Sequence, residues 1–182
     1  MQTLLSTVKK LNEYRSMLSD ITAGKKVSLY GAAPVHRAHL VSALASDCEN
    51  KICIITSDDA ASRHFASDVE IFTGVSPAVL YTRDLIFHDA EGVSRDIEQQ
   101  RMEALYSFAH GGKQIIIASA EALMLRTIPA DLLPRCAVVL EEGGSYDISD
   151  LCDILVNCGY TRCEQIEGAG QFALRGGIVI DH

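Results

Sequence analysis

The chain has 182 residues, enough for one domain with a full core, or one domain plus the beginning of a second. Hydrophobic residues make up 48% and charged ones 22%, the balance of a globular chain in water, and no run approaches the roughly 18 apolar residues that span a bilayer, which argues against a membrane role. A net charge of −8 sets a repulsive field before phosphate backbones, so DNA binding by this chain alone is expected to be weak at most.

The first residues carry Lys9 and Lys10 behind apolar positions and lack the continuous apolar stretch of a secretory signal, so the reading is a cytoplasmic protein. Leu4, Leu5, Val8, Leu11, Leu18 and Ile21 recur at helical spacing and predict one leading amphipathic helix stopped by Gly24. Residues 26–30 read as a short strand ending at Gly31, followed by a helix over 35–45 that exposes Ser42 and Asp47. Residues 52–56 form an unbroken apolar run, as in a strand buried on both faces. Asp58 or Asp59 then caps a helix with Ala61, Phe65, Val69 and Phe72 on one face.

Residues 78–81 give a further strand, and Ser94 is placed as the cap of a helix with Ile97, Ala104, Leu105 and Phe108 on one face, ended by His110, Gly111 and Gly112. Residues 114–118 are another buried strand and 120–125 a short helix. Pro129 and Pro134 punctuate the chain before an apolar strand at 136–140 and a glycine hinge at 141–144. Beyond it, Ile148, Leu151, Cys152, Leu155 and Val156 predict a helix closing near Gly159, and 162–167 with 171–174 read as a hairpin. The fold class is therefore α/β, a mostly parallel sheet flanked by helices over residues 1–135. A partial small α+β subdomain over 136–182 follows, which looks cut off at Asp181 and His182.

Few motifs carry chemistry. The six cysteines lack the paired spacing that grips zinc and read as reduced thiols, with no metal site. A phosphate-binding loop needs a second glycine, a lysine and a hydroxyl, whereas the turn after the first predicted strand runs from Gly31 to His36, Arg37 and Ala38 and keeps only its first glycine. His36 would put a side chain in the cradle and Ala38 has no hydroxyl for magnesium, so ATP binding is not expected there. Glu141 and Glu142 imitate the acid that follows a strand in ATPases, and without a cradle they read as a solvated strand end. His36 and His39 lie one helical turn apart with no third ligand implied, and no nucleophile has a base partner in the sequence pattern, so no catalytic residue is assigned.

Residues 159–181 alternate as strands pinned by glycine pairs, with Phe172 and Leu174 on one strand face and Arg175 at its end with a free guanidinium. This stretch resembles the G-Y-x-R-x-x-Q-V-E-x-x-G-x-F-x-x-R-G-G-I-x-D signature of transcription-repair coupling factors (Mfd) and, less closely, of the excinuclease B subunit UvrB. Residues 116–126 are similar to a second coupling-factor segment, and Gly31 to Ala38 falls where UvrB carries an intact phosphate loop. The degenerate turn favours the coupling factors: a UvrB-like first domain with a decayed P-loop, as in P-loop NTPases, and the start of the second, UvrA-binding domain. The resemblance implies recruitment of UvrA in nucleotide excision repair, with Arg175 as the contact and Phe172 and Arg162 in supporting roles. It further implies a longer parent in which RNA polymerase and DNA are engaged, and ATP and magnesium used, by a translocase motor outside this chain. A rival reading keeps an atypical nucleotide site at Gly31, and a third makes the module an intramolecular clamp.

Overall fold

In the computed structural model, residues 2–83, 95–168, 170–176 and 178–181 are described; the expected cap Ser94, and Ala169, Gly177 and His182, lie outside these residues. The leading helix is two, α1 (Gln2–Val8) and α2 (Asn12–Thr22). Between them Lys10 N–H bonds to Thr7 O at 3.3 Å and Leu11 N–H to Val8 O at 3.0 Å, tight turns that interrupt the helical ladder. The break brings two side chains onto one acid at the end of α3 (Pro34–Asp47): Lys9 Nζ pairs with the Asp47 carboxylate, and Tyr14 Oη donates to it at 2.7 Å. Burial alone pushes the Asp47 carboxyl up, but Lys9 and Tyr14 outweigh it and hold it below its usual range, while the same carboxylate and burial raise the Tyr14 phenol.

Three parallel strands, β1 (Ile52–Thr56), β2 (Ala78–Leu80) and β3 (Ile115–Ser119), form a sheet in the order β1-β3-β2. Strand β3 is central and buried along its whole length. Its Ile115 and Ile117 pack with Ala38 of α3 and with Ala66 and Val69 of α4 (Asp59–Thr73), whereas Ile116 and Ala118 face Ala104 of α5 (Arg95–Ala109) and Ala122 of α6 (Ala120–Met124). The period-two alternation of a strand thus divides one run of apolar residues between two helical layers. Asp58 is the cap of α4, accepting from Ala61 N–H at 2.8 Å. Gly111, after α5, has no room for a side chain, since a Cβ there would meet Ser107 Cα at 2.7 Å.

Three expectations need correction. Residues 26–30 and 137–140 are extended but pair with nothing among the described residues; Tyr30 is 88% and Val139 67% exposed. Cys136 is instead drawn into a 3-10 turn, Leu133–Cys136, begun by Pro134. β propensity supplies only half of a strand, and the other half is a neighbour with free N–H and C=O groups. With neither segment beside it, β1 is an edge strand covered on one face, so Ile52 and Ile54 pack inward while Ile55 is 64% exposed. Ser42, expected at the surface, is 1% exposed, on the side of α3 turned to the core, whereas Asp47 is exposed as expected.

After a turn in which Tyr146 Oη accepts from Glu141 N–H at 2.9 Å, Asp147 caps α7 (Ile148–Asn157). A second sheet holds β4 (Thr161–Arg162), β5 (Gln171–Arg175) and β6 (Ile178–Asp181) in that order. The hairpin is displaced from its expected place. Strands β4 and β5 run parallel, and the antiparallel pair is β5 with β6, turning at Gly176, whose φ of +58° suits a glycine.

Candidate functional site

The signature stretch builds a shelf at the end of β5. Phe172 is wholly buried beneath the sheet and Ala173 is 2% exposed, so this part of β5 is anchored, while Arg175 at its end is exposed. The loop from β4 is drawn onto β5 by one side chain and one backbone bond: Gln171 Oε1 accepts from Glu167 N–H at 2.7 Å, and Cys163 N–H donates to Phe172 O at 2.9 Å. The Arg175 guanidinium is not free as expected. Its Nη2 donates to Glu164 O at 2.6 Å, which fixes the plane of the fork and leaves the remaining N–H groups for an outside acceptor. Arg162, exposed on β4, lines the same shallow depression together with Cys163, Glu164 and Leu174. Two guanidinium groups therefore border one polar hollow on a chain whose net charge is −8. A guanidinium fork here can pair with a carboxylate, while the carboxylate of Glu164 on the same hollow offsets part of the positive charge. Phe172 cannot touch a partner from its buried position; its role is to hold β5. Gln171 and the Glu164 carbonyl were not singled out from the sequence, because a backbone acceptor leaves no mark in residue type.

At the other candidate, Gly31 has φ +76°, and Pro34 opens α3 behind Ala33, which offers no capping side chain. Arg37 Nε donates back to Ala32 O at 3.0 Å, His36 is exposed and Ala38 is 0% exposed inside the core. Magnesium would need a hydroxyl where the Ala38 methyl is packed against hydrophobic neighbours, and the cation that replaces the lysine is directed at its own loop, so these residues do not fit a nucleotide phosphate and its metal. His39 stacks on Phe72 with ring centroids 4.5 Å apart, a packing role. Among the described residues no group of three or more His, Cys, Asp or Glu is arranged to hold a metal, and all six cysteines are free thiols.

A polar cluster that sequence reading missed lies at the carboxyl ends of the parallel strands. Asp59 accepts from Thr82 N–H at 2.8 Å, Thr82 Oγ1 at 2.9 Å and Ser119 Oγ at 2.7 Å, linking α4, the segment after β2 and the end of β3. Burial by itself raises this carboxyl, but the Ser119 and Thr82 bonds and the charge of Arg63 outweigh it and hold the group below its ordinary 3.8. Arg101, 3% exposed, donates to Tyr81 O and lies near Ala122 O, buttressing the same end of the sheet. The signal was present as polar residues directly after each apolar run.

No helix among the described residues is long and apolar enough to cross a membrane. No protein-family model matches the chain. Curated relatives do: the transcription-repair-coupling factor of Bacillus subtilis (strain 168) is 23% identical over 181 residues, 98% of this chain and 15% of that protein. That of Staphylococcus aureus (strain MRSA252) is 22% identical over 178 residues, 97% of this chain and 15% of its own. That of Staphylococcus haemolyticus (strain JCSC1435) is 23% identical over 163 residues, 89% and 14% respectively. The chain thus spans about 15% of the length of the curated relatives it matches.

Proposed function

We propose that this chain, related over nearly its whole length to transcription-repair-coupling factors, is a protein-recognition module that recruits UvrA to sites of transcription-coupled repair and performs no catalysis itself. The observation that carries the reading is Arg175, exposed at the end of an anchored strand, its fork oriented by Glu164 O and reinforced by Arg162 beside it. An oriented guanidinium loses little freedom on pairing and makes the strong, charge-assisted bonds by which one protein recognises a carboxylate on another. In this reading residues 1–135 are a scaffold derived from a nucleotide-binding domain, and residues 136–182 begin the recognition domain. The DNA translocase and RNA polymerase contacts belong to parts of a longer protein, and the module works in the cytoplasm.

The direct test is titration calorimetry of the chain against purified UvrA. Arg175→Ala is expected to weaken binding by about 1.5–3 kcal/mol, ten- to a hundredfold, with unchanged circular dichroism. Unaltered affinity in that variant would remove Arg175 from the interface. Nucleotide supplies a second check. Millimolar ATP with magnesium is expected to leave the melting temperature where it is, because a ligand at a hundred times its dissociation constant would add about 2.7 kcal/mol and be plainly visible. A shift of that size would restore the Gly31 turn as a nucleotide site.

A further inference from the structure

Strand β1 bounds one side of the parallel sheet, and its outer edge is open. Ile52 N–H donates to Gln114 O at 2.8 Å, and β1 runs parallel to β3 in unbroken register from Ile52 opposite Ile115 to Thr56 opposite Ser119. In a parallel ladder alternate residues turn both backbone groups to the same neighbour, so Ile52, Ile54 and Thr56 bond to β3, and the N–H and C=O of Cys53 and Ile55 face outward. Among the described residues no hydrogen bond reaches any of these four groups. The Cys53 and Ile55 side chains point away from the layer of α3 and α4 that receives Ile52 and Ile54, and both are exposed. Folded proteins usually blunt such an edge with proline, a bulge, a charge or a covering segment. β1 reads Ile-Cys-Ile-Ile-Thr and holds none of the first three. The nearest cation, Lys51, is drawn to the end of α5, its Nζ donating to Phe108 O and, at 2.8 Å, to Ala109 O.

An uncharged, β-branched strand with an unpaired edge selects another strand as its partner, and the charges at its two ends select which strand and which direction. Lys51 precedes β1, and Asp58 and Asp59 follow it. Parallel pairing of two such strands sets like charges side by side, whereas antiparallel pairing turns Lys51 of one copy towards Ser57 and Asp58 of the other. We propose that two copies of this chain associate by antiparallel pairing of their β1 edges about a two-fold axis at Ile54, which joins two three-stranded sheets into one. In that register Cys53 lies opposite Ile55 of the second copy, each such pair exchanges both backbone bonds, and the four side chains cover one another on the face that was open. The other edge of each β1 is held by β3, so pairing consumes both free edges and stops at two copies. One pair of short strands is far smaller than a permanent interface, so the dimer is weak and reversible. It uses neither Arg162 nor Arg175 and does not rest on what they recognise.

Sedimentation velocity of the purified chain is the test, run at about 0.15 M ionic strength, where the repulsion between two copies of net charge −8 is screened. The mass should rise from 19.8 kDa towards twice that value as the chain is concentrated to about 1 mM. Over the same range the amides of Cys53 and Ile55 should gain protection from hydrogen exchange, because they become donors only in the pair. Ile55→Lys, at a position already 64% exposed, places an ammonium on the edge and should weaken association by about tenfold or more with circular dichroism unchanged. Ile55→Pro removes one outward donor, leaves every bond to β3 in place and should have the same effect, which separates backbone pairing from simple apolar contact. A chain that stays monomeric throughout, assembly that continues past two copies, or association indifferent to Ile55→Lys would each overturn the proposal. Protection of the two amides that does not depend on concentration would do so as well, since it would assign the edge to a segment of the same chain.

Discussion

Phe172→Ala should cost about 3–5 kcal/mol, the largest stability loss expected of a single truncation in the second sheet. The ring is wholly buried in β5, the strand to which both β4 and β6 are hydrogen-bonded, so its removal leaves a cavity at the central strand of this sheet. Partial collapse will not repair it, because the Phe172 backbone is held by Cys163 N–H on one side and by its pairing with β6 on the other. The measurement is urea unfolding followed by far-ultraviolet circular dichroism, with limited proteolysis to locate the loosened segment. Phe172→Leu, which keeps most of the volume, should lose far less. Equal stability of the alanine variant and the parent would mean that the ring does not carry this sheet. Arg175 lies three positions along the same strand, so on the proposed recognition role the alanine variant should also bind UvrA poorly, through loss of the platform, whereas Arg175→Ala should bind poorly with the platform intact. Comparing the two separates contact from support.

Replacing Asp59 is expected to have the second largest effect, about 2–3 kcal/mol at neutral pH for Asp59→Ala, because Thr82 N–H, Thr82 Oγ–H and Ser119 Oγ–H all lose their acceptor together. The effect must depend on pH in a fixed direction. A carboxyl held below its ordinary 3.8 in the folded protein contributes its stabilisation fully above that value and loses it as the pH falls through the lower, folded value. The gap between the parent and Asp59→Asn should therefore be constant from neutrality to about pH 5 and narrow below pH 4. Among the described residues Asp47 and Asp58 are lowered as well, so the parent loses stability in acid from more than one site, and only the difference between parent and variant isolates Asp59. A gap that widens on acidification would reverse the sign and show that burial, not hydrogen bonding, governs this carboxyl. The cluster also ties the carboxyl ends of these strands together: α4 begins at Asp59, and its first turn is fastened by one side chain to Ser119 of β3 and to Thr82 just beyond β2.

Much of this protein was legible from periodicity and residue type. The apolar runs at 52–56 and 114–118, each followed by a capping residue and a helix, required parallel strands with crossovers, and β1, β3, α4 and α6 lie where those runs end and the caps begin. Gly31, His36, Arg37 and Ala38 already lack the second glycine, lysine and hydroxyl of a phosphate loop in the sequence, and the spacing of residues 159–181 marked out the stretch that carries Arg175. These features are local: a cap, a glycine with positive φ or a missing hydroxyl acts within a few residues of itself.

What only the tertiary structure decided involves partners distant in the chain. The apolar segments at 26–30 and 137–140 have the composition of strands, yet a strand exists only where another edge is offered, and none is paired with them among the described residues. Whether Ser42 is outside or inside depends on the rotation of α3 about its axis, which is set by packing against α4 and β3 rather than by the helix's own weak pattern. The direction of β4, the tether of Arg175 to a backbone carbonyl and the gathering of Thr82 and Ser119 around Asp59 likewise join residues from 10 to 60 positions apart. Sequence pattern reports the surface a segment must hide; the fold alone chooses what hides it, because burial is a property of the pair and not of either residue.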